Sequence, residues 1–177
     1  MEFVQPIREK SKIELMKNNL KTARDRFLFV LGINTALRIS DLLKLKVEDV
    51  RGTHLDIKET KTGKIKKHFI NPTLQDEIER YTENMKEHDY LFPSRKGTKP
   101  ISRIQAYRIL NETAKSLGID EIGTHTMRKT FGYHYYQKTK DIATLQQLLN
   151  HSAPSVTMRY IGLHQDAMDK ALEDFSL

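Results

Sequence analysis

The run His54-Leu55-Asp56-Ile57-Lys58-Glu59-Thr60-Lys61-Thr62-Gly63-Lys64-Ile65-Lys66-Lys67-His68-Phe69-Ile70 is where the sequence changes its period. From His54 to Thr60, Leu55 and Ile57 fall on one side and Asp56 and Lys58 on the other. Ile65 to Ile70 follows after Lys61-Thr62-Gly63-Lys64. Side chains of a strand alternate between faces, and a glycine-bearing turn lets the chain double back, so this stretch reads as a β-hairpin.

On both sides of the hairpin the apolar residues recur with helical spacing. Ile7–Leu20 carries Ile13, Met16 and Leu20 on one face. Thr22–Thr35, with Phe27, Leu28, Val30, Leu31 and Ile33, is apolar on most sides and predicts a central core helix. Ser40 is placed to cap a short helix over Asp41–Leu45, anchored by Leu42, Leu43 and Leu45. After the hairpin, Asn71-Pro72 ends the strand, and Thr73 is expected to cap a helix reaching about Lys86. Tyr90-Leu91-Phe92-Pro93 reads as a buried, strand-like stop before a basic loop through Arg95, Lys96, Gly97 and Lys99. Helices are then expected over Ser102–Leu117, closed by Gly118, and over Thr124–Lys138, Ile142–Leu149, Val156–Ile161 and His164–Phe175. The fold class expected is mostly α (α+β), many helices with one small antiparallel sheet. With no repeat or Gly/Ser linker, residues 1–177 read as one domain.

Composition narrows the function. Thirty Lys and Arg against 23 Asp and Glu give a net charge of +7, which suits a polyanionic partner and also a plain solvated surface. No cysteine is present, so disulfides, thiolate metal sites and cysteine nucleophiles are excluded. No apolar run approaches the ~18 residues of a membrane span. Met1–Lys10 lacks the apolar segment of a secretory signal, so a cytoplasmic location is expected. The far end is acidic, with Asp166, Asp169, Glu173 and Asp174 against Lys170, and suits a protein contact better than a phosphate backbone.

Within this frame a set of chemically capable residues stands in order. Arg38 lies in Thr35-Ala36-Leu37-Arg38-Ile39-Ser40-Asp41, between the core helix and the short one. Lys61 lies at the hairpin turn. His125-Thr126-Met127-Arg128 begins a helix, and residues three apart share a helix face. Leu149-Asn150-His151-Ser152 follows, and nine residues after His151 comes Tyr160. Read singly, each has a structural explanation. Arg38 could pair with Asp41, Lys61 could be solvated charge, His151 could answer a helix C-terminus, and Tyr160 could be a core aromatic.

Taken together, Arg, Lys, His-x-x-Arg, His and Tyr in this order and spacing resemble the tyrosine recombinase (phage integrase) family over nearly the whole chain. The resemblance implies a catalytic domain that breaks and rejoins double-stranded DNA through a 3′-phosphotyrosyl link, with no cofactor and no metal. It implies that Arg38 and Arg128 grip the scissile phosphate and that Asp41 braces Arg38. Lys61 would be the general acid, with Lys64 in reserve. His125 and His151 would support proton transfer and phosphate binding, and Tyr160 would attack. The chemistry fits these residue types: paired guanidinium forks hold the charge that builds on phosphate oxygens, and an ammonium can protonate a poor alkoxide leaving group. Two other readings stay open, a non-catalytic DNA-binding module competing with a full-length recombinase, and a relaxing enzyme like a type IB topoisomerase.

Three departures from the family pattern stand out. Asn150 occupies the position before the late histidine where glycine is usual, and asparagine tolerates a left-handed backbone. Lys129 follows Arg128 where many relatives have histidine. Relatives usually carry a helical DNA-binding domain ahead of this one, and only the stretch before Thr22 precedes the core helix here, so that domain is expected to be absent. The final helix, with Ala167, Met168, Ala171, Leu172 and Phe175 on its apolar side, is expected to mediate self-association on DNA.

Overall fold

A computed structural model describes residues 4–120, 122–173 and 175–176. Helix α1 (Lys10–Asn19) leads into α2 (Ala23–Thr35), whose Thr22 side chain caps it by accepting from the Asp25 amide. The all-round apolar pattern of α2 has the expected consequence: Phe27, Leu28, Phe29 and Leu31 are almost wholly buried. Ala36 turns the chain out of α2 with a left-handed backbone (φ 55°) and sends it into α3 (Ile39–Leu42). Here the structure corrects the expected cap. Arg38, not Ser40, is the N-cap residue, without a side-chain cap bond, and Ser40 lies inside the helix.

One turn of 3-10 helix (Val47–Val50) precedes β1 (His54–Lys58), which pairs antiparallel with β2 (Ile65–Phe69). The register sets Leu55 opposite His68 and Ile57 opposite Lys66, so these four share the inner face. Ile65 and Phe69 point outward and are 79% and 58% exposed. Helix α4 (Pro72–Thr82) is capped by Asn71 rather than Thr73, since the Asn71 side chain accepts from the Leu74 amide. Tyr90 and Pro93 make isolated bridges to Lys46 and Pro100 instead of a strand.

Helix α5 (Arg103–Ser116) begins at a reciprocal Ser102–Gln105 cap. Helix α6 (Thr126–Thr139) then packs on α2 at a close approach: a Cβ on Gly32 would lie 2.4 Å from Met127 Sδ. Only glycine permits that approach, which brings the N-terminal end of α6 to the C-terminal end of α2. Helices α7 (Ile142–Leu149), α8 (Pro154–Tyr160) and α9 (His164–Glu173) complete the described chain. Asp174 and the Ala171 side chain lie outside the described residues. No described helix is long and apolar enough to cross a membrane.

Buried apolar side chains form two clusters. The larger draws on α1 to α5, the hairpin and Met127. The smaller comprises Ala36, Leu145, Leu149, Ile161 and Leu163, bordered by Phe131, Tyr133, Tyr135, Tyr136 and Tyr160. The N-terminal segment straps across α6: the Ile7 amide donates to Thr130 Oγ1, Lys129 Nζ donates to the Val4 carbonyl, and His134 bonds the Ile7 carbonyl. Arg8 reaches on to the Gly162 carbonyl and Asp166, tying the strap to the α8–α9 turn.

Candidate active site

The site lies where the two clusters meet, and Arg128 joins them. It is 3% exposed, with Nη1 donating to the Ala36 carbonyl at 2.8 Å and Nη2 to the Leu149 carbonyl. These are carbonyls at the C-terminal ends of α2 and α7, which carry no partner within their own helices. The guanidinium satisfies both and is held with no freedom to turn away.

Arg38 approaches from the α2–α3 turn. Its Nη1 lies 3.1 Å from Glu59 Oε1, and Glu59 is 2% exposed. Burial would raise the Glu59 carboxyl, but the Thr62 hydroxyl, Arg38, Lys66 and Asn150 outweigh it and hold the group below the ordinary carboxylate value. Asp41 takes a different part from the expected brace on Arg38. Its Oδ1 accepts from the Thr60 amide (3.0 Å) and hydroxyl (2.7 Å), pinning the start of the hairpin turn. Glu59, which no motif marked, is the carboxylate beside Arg38.

Of the hairpin's five lysines, three are candidates for the site. Lys61 stands exposed on the turn. Lys64 is also exposed, and its Nζ reaches Asn150 Oδ1 at 3.4 Å. Lys66, on the inner face, donates to the Leu148 carbonyl. Burial, with Arg128 and Arg38 nearby, lowers its ammonium to about 8 in spite of Glu59 and Asp41. Apolar-in alternation would have turned Ile65 and Phe69 inward and hidden Lys66; the pairing register, which sets it on the face of the buried Ile57, is what reveals it.

Across from the arginines stand the histidines and Tyr160. His125 is the N-cap residue of α6, one helical turn before Arg128. Partial burial, with Arg128, Lys129 and Arg38 nearby, keeps its imidazole below the usual value. His151 follows Asn150, which ends α7 in the left-handed region (φ 52°) as the sequence anticipates. Its Nδ1 bonds Thr157 Oγ1 at 3.0 Å, and burial together with Arg128, Arg38 and Lys66 lowers it to about 4. At neutral pH the ring is therefore uncharged and has a lone pair to offer. Tyr160 lies edge-on to it, ring centroids 4.9 Å apart, with Lys129 Nζ 5.2 Å from the Tyr160 centroid. Burial raises the Tyr160 phenol, and the charges of Arg128 and Arg38 pull it part of the way back.

Four buried polar atoms here make no well-aligned hydrogen bond: Asp41 Oδ2, the Tyr160 hydroxyl, and Arg38 Nη1 and Glu59 Oε1, which face each other as an ion pair. Unpartnered buried groups are rare in folded proteins and cost about 1–3 kcal/mol each, so their concentration in one place marks a site rather than a core. Among the described residues no group of three or more His, Asp or Glu side chains is spaced to hold a metal ion.

Comparison with known proteins bears on the chain as a whole. The profile described as the phage integrase family matches residues 7–166. The probable integrase/recombinase YoeC of Bacillus subtilis strain 168 is 57% identical over 178 residues, 99% of this chain and 98% of that protein. Tyrosine recombinase XerC of Staphylococcus saprophyticus is 32% identical over 158 residues, covering 85% of this chain, and the chain spans 53% of that protein. Among solved structures, XerA recombinase superposes with a TM-score of 0.76 at 19% identity, over 96% of this chain and 65% of that one. At that identity the likeness speaks for the fold.

Proposed function

The chain belongs to the phage integrase family, and from that premise we propose that it is a site-specific DNA recombinase that cleaves and rejoins strands through Tyr160. The observation that carries this reading is the convergence of Arg38, Arg128, His151 and Tyr160, with the Arg38–Glu59 ion pair and the phenol both buried beside Arg128. A backbone phosphate supplies a further anion for the paired guanidiniums and an electrophile for the phenol oxygen.

In the proposed reaction the Tyr160 oxygen attacks phosphorus and its proton passes to neutral His151, with His125 beside the same phosphate. Negative charge building on the non-bridging oxygens falls on Arg38 and Arg128, pre-positioned by Glu59 and by the two helix ends. The 5′-oxygen departs with a proton from Lys61, which stands exposed where a duplex would lie. The phosphodiester becomes a 3′-phosphotyrosyl ester of similar energy, so a second strand's 5′-hydroxyl can reverse the step without an external energy source. Lys66 is the second candidate for the acid, because an ammonium near 8 gives up its proton more readily than an ordinary lysine.

The substrate is double-stranded DNA, and the reaction takes place in the cytoplasm. Met168, Leu172 and Phe175 on and after α9 are 41%, 64% and 65% exposed and supply an apolar face for a second copy on DNA. The decisive experiment offers the protein a library of randomised duplexes, each nicked on one strand. Protein–DNA adducts that survive denaturation are collected and the trapped DNA is sequenced. The parent is expected to yield adducts of one sequence class, and Tyr160→Phe none. Binding without any adduct would leave the non-catalytic module as the reading.

A further inference from the structure

We propose that Asn150 is a positioning residue that closes the lysine hairpin onto the site, a role open to this chain because asparagine replaces the glycine usual at that position. The inference rests on the recombinase reading for its chemistry, while its geometric half stands alone.

Asn150 sits in the left-handed region (φ 52°, ψ 46°) at the end of α7, one residue before His151. Its backbone does what a glycine would do: the amide donates to the Gln147 carbonyl and ends the helix. Its side chain does something glycine cannot. Nδ2 donates to Glu59 Oε2 at 3.2 Å, and Oδ1 accepts from Lys64 Nζ at 3.4 Å. Glu59 and Lys64 are the two feet of the hairpin turn, bonded to each other through the Glu59 amide and the Lys64 carbonyl at 2.9 Å. One amide therefore grips both feet of the loop that displays Lys61.

The grip extends in both directions. Glu59 Oε2 also accepts from the Thr62 hydroxyl at 2.7 Å, inside the turn, while Oε1 faces Arg38. Beyond the turn, Lys66 holds the Leu148 carbonyl and Arg128 the Leu149 carbonyl. The end of α7 is thus fastened to the hairpin and to the arginine bed, and Asn150 is the contact nearest both Lys61 and His151. With it the turn is held against the site before DNA arrives. Without it the turn opens more often, and the acid reaches the leaving oxygen less often.

Asn150→Gly isolates the side chain, because glycine adopts the left-handed backbone without strain and the fold is retained. The first measurement is on the full chain without DNA: the rate at which trypsin cuts after Lys61 or Lys64 under native conditions. The variant is expected to be cut about three- to tenfold faster, the weight of one net hydrogen bond, with the unfolding midpoint lower by no more than about 2–5 °C. Unchanged protection overturns the proposal whatever the protein catalyses. The second measurement is single-turnover adduct formation on the selected duplexes, with an ordinary phosphate and with sulfur in place of the 5′-bridging oxygen. A thiol of pKa about 8.5 leaves as its anion and needs no acid. The variant is expected to be slower by a similar factor on the oxygen substrate and to match the parent on the sulfur one. Equal slowing on both, or on neither, overturns it. A parent that forms no adduct at all counts against the recombinase reading and leaves the trypsin result to decide this one.

Discussion

The two buried clusters differ in kind, and the site takes a different property from each. The larger is built of long side chains, with Phe27, Phe29, Phe92, Met16 and Leu31 at or near zero exposure. It carries Arg38 and the hairpin. The smaller has five buried residues among those described, one of them an alanine, and its border is a row of partly buried tyrosines. It carries His151 and Tyr160. Local stability follows buried apolar contact, so the proposed phosphate bed rests on the firm part of the molecule and the proposed nucleophile on the part most easily displaced. This division suits a reaction in which the phosphate must be held still while a tyrosine enters and leaves.

Arg128 ties the two parts together from within, bonding a helix end in each, and breaking it should have the largest effect. Arg128→Ala leaves the Ala36 and Leu149 carbonyls buried and unpaired, costing on the order of 3 kcal/mol. In a chain of this size that is a fall of about 6–12 °C in the unfolding midpoint. Arg128→Lys should recover little, since one ammonium cannot serve two carbonyls set apart by a guanidinium fork. Calorimetry or urea unfolding of both variants decides it. A midpoint within a degree or two of the parent would show that the clusters do not depend on this bridge.

The next effect should fall on the weaker part alone. A Cβ on Gly132 would lie 2.7 Å from Ile161 Cγ2, and Ile161 is the neighbour of Tyr160. Gly132→Ala is therefore expected to cost about 1–3 kcal/mol by overpacking. The loss should appear first in hydrogen exchange of α8 and in slower adduct formation, with the α2 amides keeping their protection. Equal loosening of α2 would mean that the two clusters unfold as one.

What could be read from sequence follows the same division. The hairpin, α2 and α7 were legible because their patterns are local: alternation, an all-round apolar face, and a short apolar helix followed by an Asn150 able to take the left-handed region. His125 and Arg128 were legible as a helix-face pair. The caps of α3 and α4 were each placed two residues late, because Ser40 and Thr73 are able capping residues, whereas α4 uses Asn71 and α3 starts at Arg38 with no side-chain cap bond. Glu59, Lys66 and the strap of residues 4–8 were hidden for another reason: each gains its meaning from partners far along the chain. Apolar-in reasoning would even turn Ile65 and Phe69 inward, whereas Lys66 and His68 take the inner face against the helices.

Lys66 gives a pH test of the interface between the two parts. Its folded pKa is about 8 and its unfolded value about 10.4. Below pH 8 both states hold the proton, and the folded state bears an ammonium that burial disfavours. Between about 8 and 10.4 the unfolded state binds more protons, so this group's contribution to stability rises with pH through that window. Lys66→Met should therefore stabilise the protein at pH 7, by on the order of 1 kcal/mol once the lost bond to the Leu148 carbonyl is set against the relieved burial. The gain should shrink to nothing by about pH 10.4. A gain that holds at high pH would point to apolar packing as its cause, and a loss at pH 7 would show the ammonium to be net stabilising where it stands.

The smallest effect on stability should come from α9, which packs on α8 and is otherwise turned to solvent. Met168→Ser with Leu172→Ser removes two exposed apolar side chains and should leave the unfolding midpoint within the ±0.5 kcal/mol usual for surface changes. The Arg8–Asp166 pair, at 40% and 47% side-chain exposure, holds the start of α9 to the N-terminal strap and should add no more than a surface ion pair does. If the apolar face of α9 serves a second copy, this double variant will form adducts as a monomer at the parent's rate. It will fail to bring two duplexes together, as read by native gels or light scattering on the selected DNA. Assembly unchanged in that variant would move the contact between copies elsewhere, and the outward Ile65 and Phe69 of the hairpin would be the next surface to alter. Slower adduct formation by the lone subunit would instead mean that α9 steadies Tyr160 from behind, through the Gly162 turn that Arg8 already grips.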